Sequence, residues 1–502
     1  MKRCFFIFLL ILCLLPLGGW AEEENFPALY PIRENGLWGY MNRSGEVVIQ
    51  PQWITAKSFS DGRAIVESEE GMGLIDASGT YVIQPSECIQ IEEYAYAYTI
   101  YDYELEGCGF FDKASGFYQE PLADYEMMIL WDEDGKGPIA VWNKDHLTGY
   151  VSRTTGEVVI PFRYTGESEN AAFSEGYALA ANLTWLDEND VWHEVLPDSE
   201  QLPDNEDEIR GEGLRYHLID TTGKEVRFPD GLAPYTGVCQ GVLVIHPDPF
   251  SQREMPEGRE KDTESDSGDS FFFDSFGIAK PDGTVVLEPQ LLYYLWKPDS
   301  EGMLCYVGSG WGNCGHMNLD GEVIVPAKYR IDTGGSMPCY TFVNGYTVIN
   351  DIGGHWPDTE RWVILDTAGT EVFTRPAKAE DGSAFRVCGD IVLENGLFWC
   401  EEANGYSLMR LADSRAERVS DTVFDASLGC DHYEYGEGIE FSEGLHPVKQ
   451  NGLWGYIDEQ ADWIIQPQYS NADNFHDGLA LVEKNGKLMY IDHSGAVVWE
   501  KR

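Results

Sequence analysis

The chain has 502 residues, with 86 acidic side chains against 34 Lys and Arg and a formal net charge of −52. Such a surface repels phosphate backbones and anionic lipid, which excludes nucleic-acid binding and membrane docking through a basic patch. Aromatics at 13% and hydrophobics at 43% exclude a disordered acidic tail, and 53 Gly with 24 Pro predict many turns and short strands.

The N-terminus opens with Met1–Lys2–Arg3, an apolar run Phe5–Leu17, and small residues at Gly19 and Ala21. This layout predicts a secretory signal peptide over residues 1–21, cleaved after Ala21. The apolar run is too short to span a bilayer comfortably, and no later stretch approaches the roughly 18 apolar residues a spanning helix needs. The expectation is therefore an exported chain, secreted or at the cell surface, with no membrane span after cleavage.

From residue 22 to 502 the sequence repeats itself. Leu29–Tyr–Pro–Ile–Arg–Glu–Asn–Gly–Leu–Trp–Gly–Tyr40 returns as Leu445–His–Pro–Val–Lys–Gln–Asn–Gly–Leu–Trp–Gly–Tyr456, and Val48–Ile–Gln–Pro–Gln–Trp53 returns as Ile464–Ile–Gln–Pro–Gln–Tyr469. Further copies start at Phe59–Ser–Asp–Gly62, Phe173–Ser–Glu–Gly176, Phe441–Ser–Glu–Gly444 and Phe475–His–Asp–Gly478. Eleven units can be counted, the tightest pair of turn glycines (Gly45 and Gly79) lying 34 residues apart. Each reads as three short strands and two turns. The first turn is Asn–Gly at residues 35–36, 451–452 and 485–486, a pair suited to the positive φ of a tight hairpin. The second carries Gly45, Gly79, Gly116, Gly156, Gly223, Gly283, Gly321, Gly369 or Gly495, and a β-branched run ending in proline follows, as in Val47–Val–Ile–Gln–Pro51. An Asp stands three residues before that glycine or its counterpart at residues 76, 220, 366, 458 and 492, Asn42 and Asn318 stand there in two more units, and Asp112 stands four before Gly116. A carboxylate at the same place in so many copies reads as a cap on turn amides rather than as catalysis.

The phrase Asn–Gly–Leu–Trp–Gly–Tyr, the turn glycine and the Val–Val–Ile–x–Pro strand resemble the WG repeat family, found mainly in bacterial proteins and often exported. The middle units depart from it, with Cys108–Gly109 and Cys314–Gly315 where Trp–Gly stands at the ends. The resemblance implies a β-rich repeat scaffold and brings no catalytic residues. The fold expected is all-β: a tandem array of about eleven three-stranded antiparallel units, either an open curved array or propeller-like. Acidic insertions near 185–213 and 247–270 interrupt it and read as solvated loops.

Of the eleven cysteines, Cys4 and Cys13 fall in the signal. In Cys305–Tyr–Val–Gly–Ser–Gly–Trp–Gly–Asn–Cys314 a hairpin would set Cys305 and Cys314 across from each other, which makes them the candidate pair for a disulfide, while the scattered remaining cysteines read as small buried hydrophobes. No metal or cofactor motif is present: Asp132–Glu–Asp–Gly135 and the acids between Asp187 and Asp190 lack the spacing of a calcium loop. Nor do G-x-S-x-G, H-E-x-x-H or a phosphate-binding glycine loop occur. Trp38 and Trp454 of the repeated Trp–Gly read as packing between units, whereas Trp185, Trp192 and Trp311 are candidates for stacking platforms. The function expected is a non-enzymatic binding scaffold presenting an acidic, aromatic-rich face to a cationic or neutral extracellular protein, peptide or polysaccharide. The alternative is a glycan-active hydrolase using a non-repeated carboxylate pair.

Overall fold

The computed structural model describes residues 27–130, 134–165, 171–187, 192–196, 211–248, 275–292, 294–308, 313–330, 340–353, 360–378, 383–412, 415–430 and 439–501. The expected signal peptide, Trp311 and Cys339 lie outside them, as does nearly all of the 247–270 insertion. The described residues form eleven antiparallel sheets, following one another in chain order. Blade 1 consists of Leu29–Glu34, Leu37–Asn42 and Val47–Trp53, and blade 2 of Thr55–Ala56, Arg63–Ser68, Gly71–Asp76 and Tyr81–Ser86. Blades 3 to 9 take residues 89–122, 125–164, 177–220, 232–291, 294–330, 346–376 and 386–418; blades 10 and 11 take 426–469 and 471–500. Eight sheets have four strands and three have three. In most four-stranded blades the additional strand is a short leading segment such as Thr55–Ala56 or Asn471–Ala472, too brief to leave a pattern in the sequence.

The array closes into a ring and is a β-propeller. The inner strands of a blade are apolar on both faces, as in Met303–Val307, where all five residues are buried. Each sheet can therefore be covered only by its two neighbours. Eleven hydrophobic clusters result, ten between consecutive blades and one, Tyr30, Ile32 and Met41 against Leu479 and Tyr490, joining the last blade to the first. Within the Trp–Gly–Tyr phrase, Tyr40 and Tyr456 are fully buried, while Trp38 and Trp454 sit half-buried at the rim. Arg33 and Lys449 lie over those two indole rings, each at 5.7 Å.

The turns follow the chemistry of their residues. Asn35, Asn451 and Asn485 have φ of 51°, 53° and 55°, and each hands on to a glycine that is also left-handed. At the second turn the Asp76 carboxylate accepts from Ser78 N at 2.8 Å and Thr80 N at 3.0 Å, and Asp492 accepts from Ser494 N and Ala496 N in the same way. Asn42 and Asn318 do likewise with their amide oxygens. The repeated acids therefore cap turns. The inserted segment of blade 5 is partly strand: Tyr177–Leu186 and Gly211–Asp220 run on as ten-residue strands, and Trp192–Glu194 pairs along the first of them.

Candidate functional site

The join between blades 11 and 1 differs from an ordinary blade contact. In blade 2 the leading strand bonds to its neighbour through Ile54 N→Glu67 O and Lys57 N→Ile65 O, and in blade 11 through Ser470 N→Glu483 O and Asp473 N→Leu481 O. Among the described residues blade 1 has no such strand. At the position of Ile65 it carries Pro31, whose missing N–H leaves no donor unsatisfied at the edge. The Pro31 carbonyl accepts instead from the Tyr490 hydroxyl at 3.1 Å. The equivalent Tyr40 and Tyr456 reach the turns of the blades that follow them, at Lys57 O and Asp473 O, each at 2.7 Å.

A cavity of about 810 Å³ occupies this place. Its walls are the Ser58–Gly62 and Asp473–Asp477 turns, and Tyr30, Pro31, Leu479, Leu481 and Tyr490 also line it. Asp61 and Asp477 have φ of 48° and 51° and precede left-handed glycines, so each sits in a tight turn at the mouth. Three carboxylates thus border the space, those of Asp61, Asp473 and Asp477. Asp61 is 3.2 Å from Lys113 Nζ, and Asp477 lies 3.5 Å from the exposed His476. Asp473 has no side-chain partner among the described residues, and burial raises its pKa. Tyr30 donates to Asp477 O at 2.6 Å, and burial, with Asp477 beside it, pushes its phenol up to about 12. The chemistry on offer is negative charge on exposed carboxylates next to the aromatic rings of Tyr30 and Tyr490, which suits a cation.

A second group of non-repeated polar residues lies on blade 5. His217 Nε2 is 2.8 Å from Glu194 and its Nδ1 is 3.0 Å from Glu225, while Arg215 bridges Glu194 at 2.9 Å and Asp248 at 3.3 Å. Although burial opposes the charge, hydrogen bonds to Glu194 and Glu225 raise the His217 pKa from 6.5 to about 9. Burial likewise opposes ionisation of Glu194, but bonds from His217 and Asn182 draw it from 4.5 down to about 2. Hydrogen bonding to His217 draws the Glu225 carboxyl down as well, so both neighbours of His217 shift toward the ionised form. Trp185 spends one ring face on His193, stacked at 4.3 Å and 18°.

The network predicts a pH window. A histidine raised by folding stabilises fully below about 6.5 and loses that contribution as pH climbs through about 9; a lowered glutamate stabilises above about 4.5 and loses it as pH falls toward about 2. His217→Gln is therefore expected to remove about 2 kcal/mol of stability at pH 6 and close to none at pH 10, read from urea midpoints of both chains. Equal losses at the two pH values would show that His217 acts by packing alone.

Cys305 and Cys314 occupy neighbouring strands, with Val307 opposite Cys314 and Cys305 opposite His316. They are thus diagonal neighbours, buried in one cluster, with their thiols hydrogen-bonded to each other.

Against known proteins, the WG containing repeat family matches residues 38–70 and 454–487. The chain carries WG repeats. The two matches each begin at a Trp–Gly dipeptide and run across a blade boundary, so the WG unit in sequence is offset from the blade in space. No curated protein matches the chain. Among solved structures, a eukaryotic initiation factor is similar at 12% identity and a TM-score of 0.38, with 88% of this chain and 96% of that one covered. Dipeptidyl peptidase 4 of Porphyromonas gingivalis gives 11% identity and 0.34, covering 73% and 59%. BamB of Moraxella catarrhalis gives 11% and 0.26, covering 95% and 97%. At these scores the likenesses carry no more than a general similarity. The WG units and the closed ring make the chain a repeat-based scaffold.

Proposed function

We propose that this WG-repeat propeller is an exported, non-enzymatic binding scaffold whose cavity at the join takes a cationic side chain of an extracellular protein or peptide. The cavity carries the reading: the exposed carboxylate of Asp473 borders it without a cationic partner, with Asp61, Asp477 and the rings of Tyr30 and Tyr490 beside it. The N-terminal Lys–Arg, apolar run and Ala21 support export, and in that setting a disulfide joins Cys305 to Cys314.

A fluorescent peptide rich in Lys and Arg tests the site by anisotropy. Asp473→Asn is expected to weaken binding about tenfold, a loss of one desolvated charge pair. Raising the salt from 50 to 500 mM should weaken the wild type more than the variant. Equal affinity of the two chains, or equal binding of an acidic peptide, would remove the cavity from consideration. Turnover of a glycan panel by the purified chain would overturn the non-enzymatic part.

A further inference from the structure

Blade 9 begins with Arg386–Val387 and a 3-10 turn, Cys388–Asp390, while blade 10 begins with Ala426–Ser427 and a turn ending at Cys430. Cys430 is held in its own blade by its amide, which donates to Ser427 O at 3.2 Å, and is tied to blade 9 by its carbonyl, which accepts from Arg386 Nη2 at 2.8 Å, two residues from Cys388. Both cysteines are buried, at 0% and 1% exposure, in the cluster between blades 9 and 10 that also holds Trp399, Leu408 and Phe424. Both are free thiols in the structure, and the neighbouring Cys430 together with burial raises the Cys388 pKa.

A third cysteine is close in sequence pairing but not in direction. Cys400 stands opposite Val387 on the neighbouring strand, and its side chain belongs with Val387 and Phe398 in the cluster between blades 8 and 9. Alternation along the strand sends Trp399 to one face and Cys400 to the other. Cys388 therefore shares its face with Cys430 and not with Cys400.

We infer that Cys388 and Cys430 are the site of a disulfide that staples blade 9 to blade 10. The bond is additional to the Cys305–Cys314 pair, which lies within one sheet, and its formation in the cell rests on the export reading. The reaction is thiol–disulfide exchange with a disulfide donor, a dithiol oxidoreductase in the cell or oxidised glutathione in the test tube. One thiolate attacks the donor sulfur and displaces one donor thiol. The second thiolate then attacks the mixed disulfide, leaving Cys388–S–S–Cys430 and a second donor thiol, so that the two protons given up by the cysteines end on the two donor thiols. Burial and the partner thiol hold Cys388 protonated in the closed interface. Exchange is accordingly fast while the chain is folding and slow once the blades have docked.

The full-length chain tests this in two preparations: one isolated from an oxidising compartment, the other purified reduced and refolded with oxidised glutathione. Free thiols are alkylated and peptides mapped without reduction. The expected result is a Cys388–Cys430 linked peptide that reduction abolishes, and a higher urea midpoint for the oxidised chain than for the reduced one. Cys388→Ser and Cys430→Ser should each remove the peptide and its share of that increase, and Cys400→Ser should leave both intact. Both cysteines alkylated after refolding with oxidant, or Cys388 linked to Cys400, would overturn the pairing. A bond formed in the test tube but missing from the cellular chain would sustain the pairing and sink the export reading instead.

Discussion

Replacing Gly455 with alanine is expected to destabilise the propeller by about 3 kcal/mol, although the change adds one methyl group. A Cβ there would stand 2.5 Å from Ile465 O, 2.7 Å from Pro467 N and 2.8 Å from the Trp463 ring. Two of those atoms are backbone of the paired strand, which cannot swing aside as a long side chain would. The register of that pairing slips between Trp454 and Tyr456, so the outer strand bulges onto the glycine. Gly39 meets Ile49 O and Pro51 N in the same way, and Gly277 and Gly315 face the corresponding carbonyl and the residue after it. This explains why Cys108–Gly109 and Cys314–Gly315 keep the glycine after losing the tryptophan: the indole is at the rim, the glycine under the bulge. Gly486 is the control, with φ of 75° and nothing within 4 Å of an added Cβ. Gly486→Ala should remove only about 1 to 2 kcal/mol, the strain of a left-handed alanine. Urea unfolding of the two variants compares them directly, and equal midpoints would mean that the bulge relaxes freely.

What was legible in the sequence is what depends on neighbours along the chain. Asn–Gly pairs, glycines after polar residues and prolines ending β-branched runs are local rules, and each recurs often enough to outvote its degenerate copies. Even the exception obeys the geometry: blade 10 has Ala461 where others have glycine, and its φ is still 62°. Closure was illegible because it joins Tyr30 to Tyr490, residues whose meeting depends on the small rotation accumulated over every blade between them. The repeated tryptophan reads as packing between units, and Trp454 does pack, partly buried, against the clusters on both sides of blade 10. The fully buried ring is nonetheless the tyrosine two places on, since strand alternation and the bulge together decide which ring points deepest between blades. Of the cavity, Phe475–His–Asp–Gly478 was visible as a repeat start. Nothing marked Asp473 as lacking a partner, because that depends on how blades 11 and 1 meet in space. The His217 network was hidden for a different reason, drawing on Asn182, Glu194, Arg215, Glu225 and Asp248 around an aperiodic insertion.

Tyr490→Ala is expected to open the ring. Among the described residues no strand is exchanged across the join, since residues 29–53 and 471–500 form separate sheets. Blades 1 and 11 are therefore held to each other, among those residues, by side-chain packing and side-chain hydrogen bonds rather than by strand pairing. Tyr490 packs edge-on against Tyr30 with ring centroids 5.5 Å apart, bonds Pro31 O, and covers Ile32 and Met41 with Leu479. Arg43 adds a contact, its guanidinium lying on Gly478 where any Cβ would collide with it. Truncating a buried aromatic removes about 3 to 5 kcal/mol of packing, here concentrated on one interface. Tyr456→Ala makes the same truncation between blades 10 and 11, at a residue with 0% exposure. There the chain runs directly from Tyr469 to Asn471, so the blades cannot drift apart even when their packing is weakened. The two variants should lose comparable stability in urea yet differ in shape and protection. Tyr490→Ala should expand in small-angle scattering, lose hydrogen-exchange protection along Leu29–Glu34 and Leu479–Lys484, and lose the cationic peptide. Tyr456→Ala should keep the wild-type radius. If both variants kept it, the join would be as secure as any interface inside the chain, and side-chain packing could not be the whole of what closes the ring.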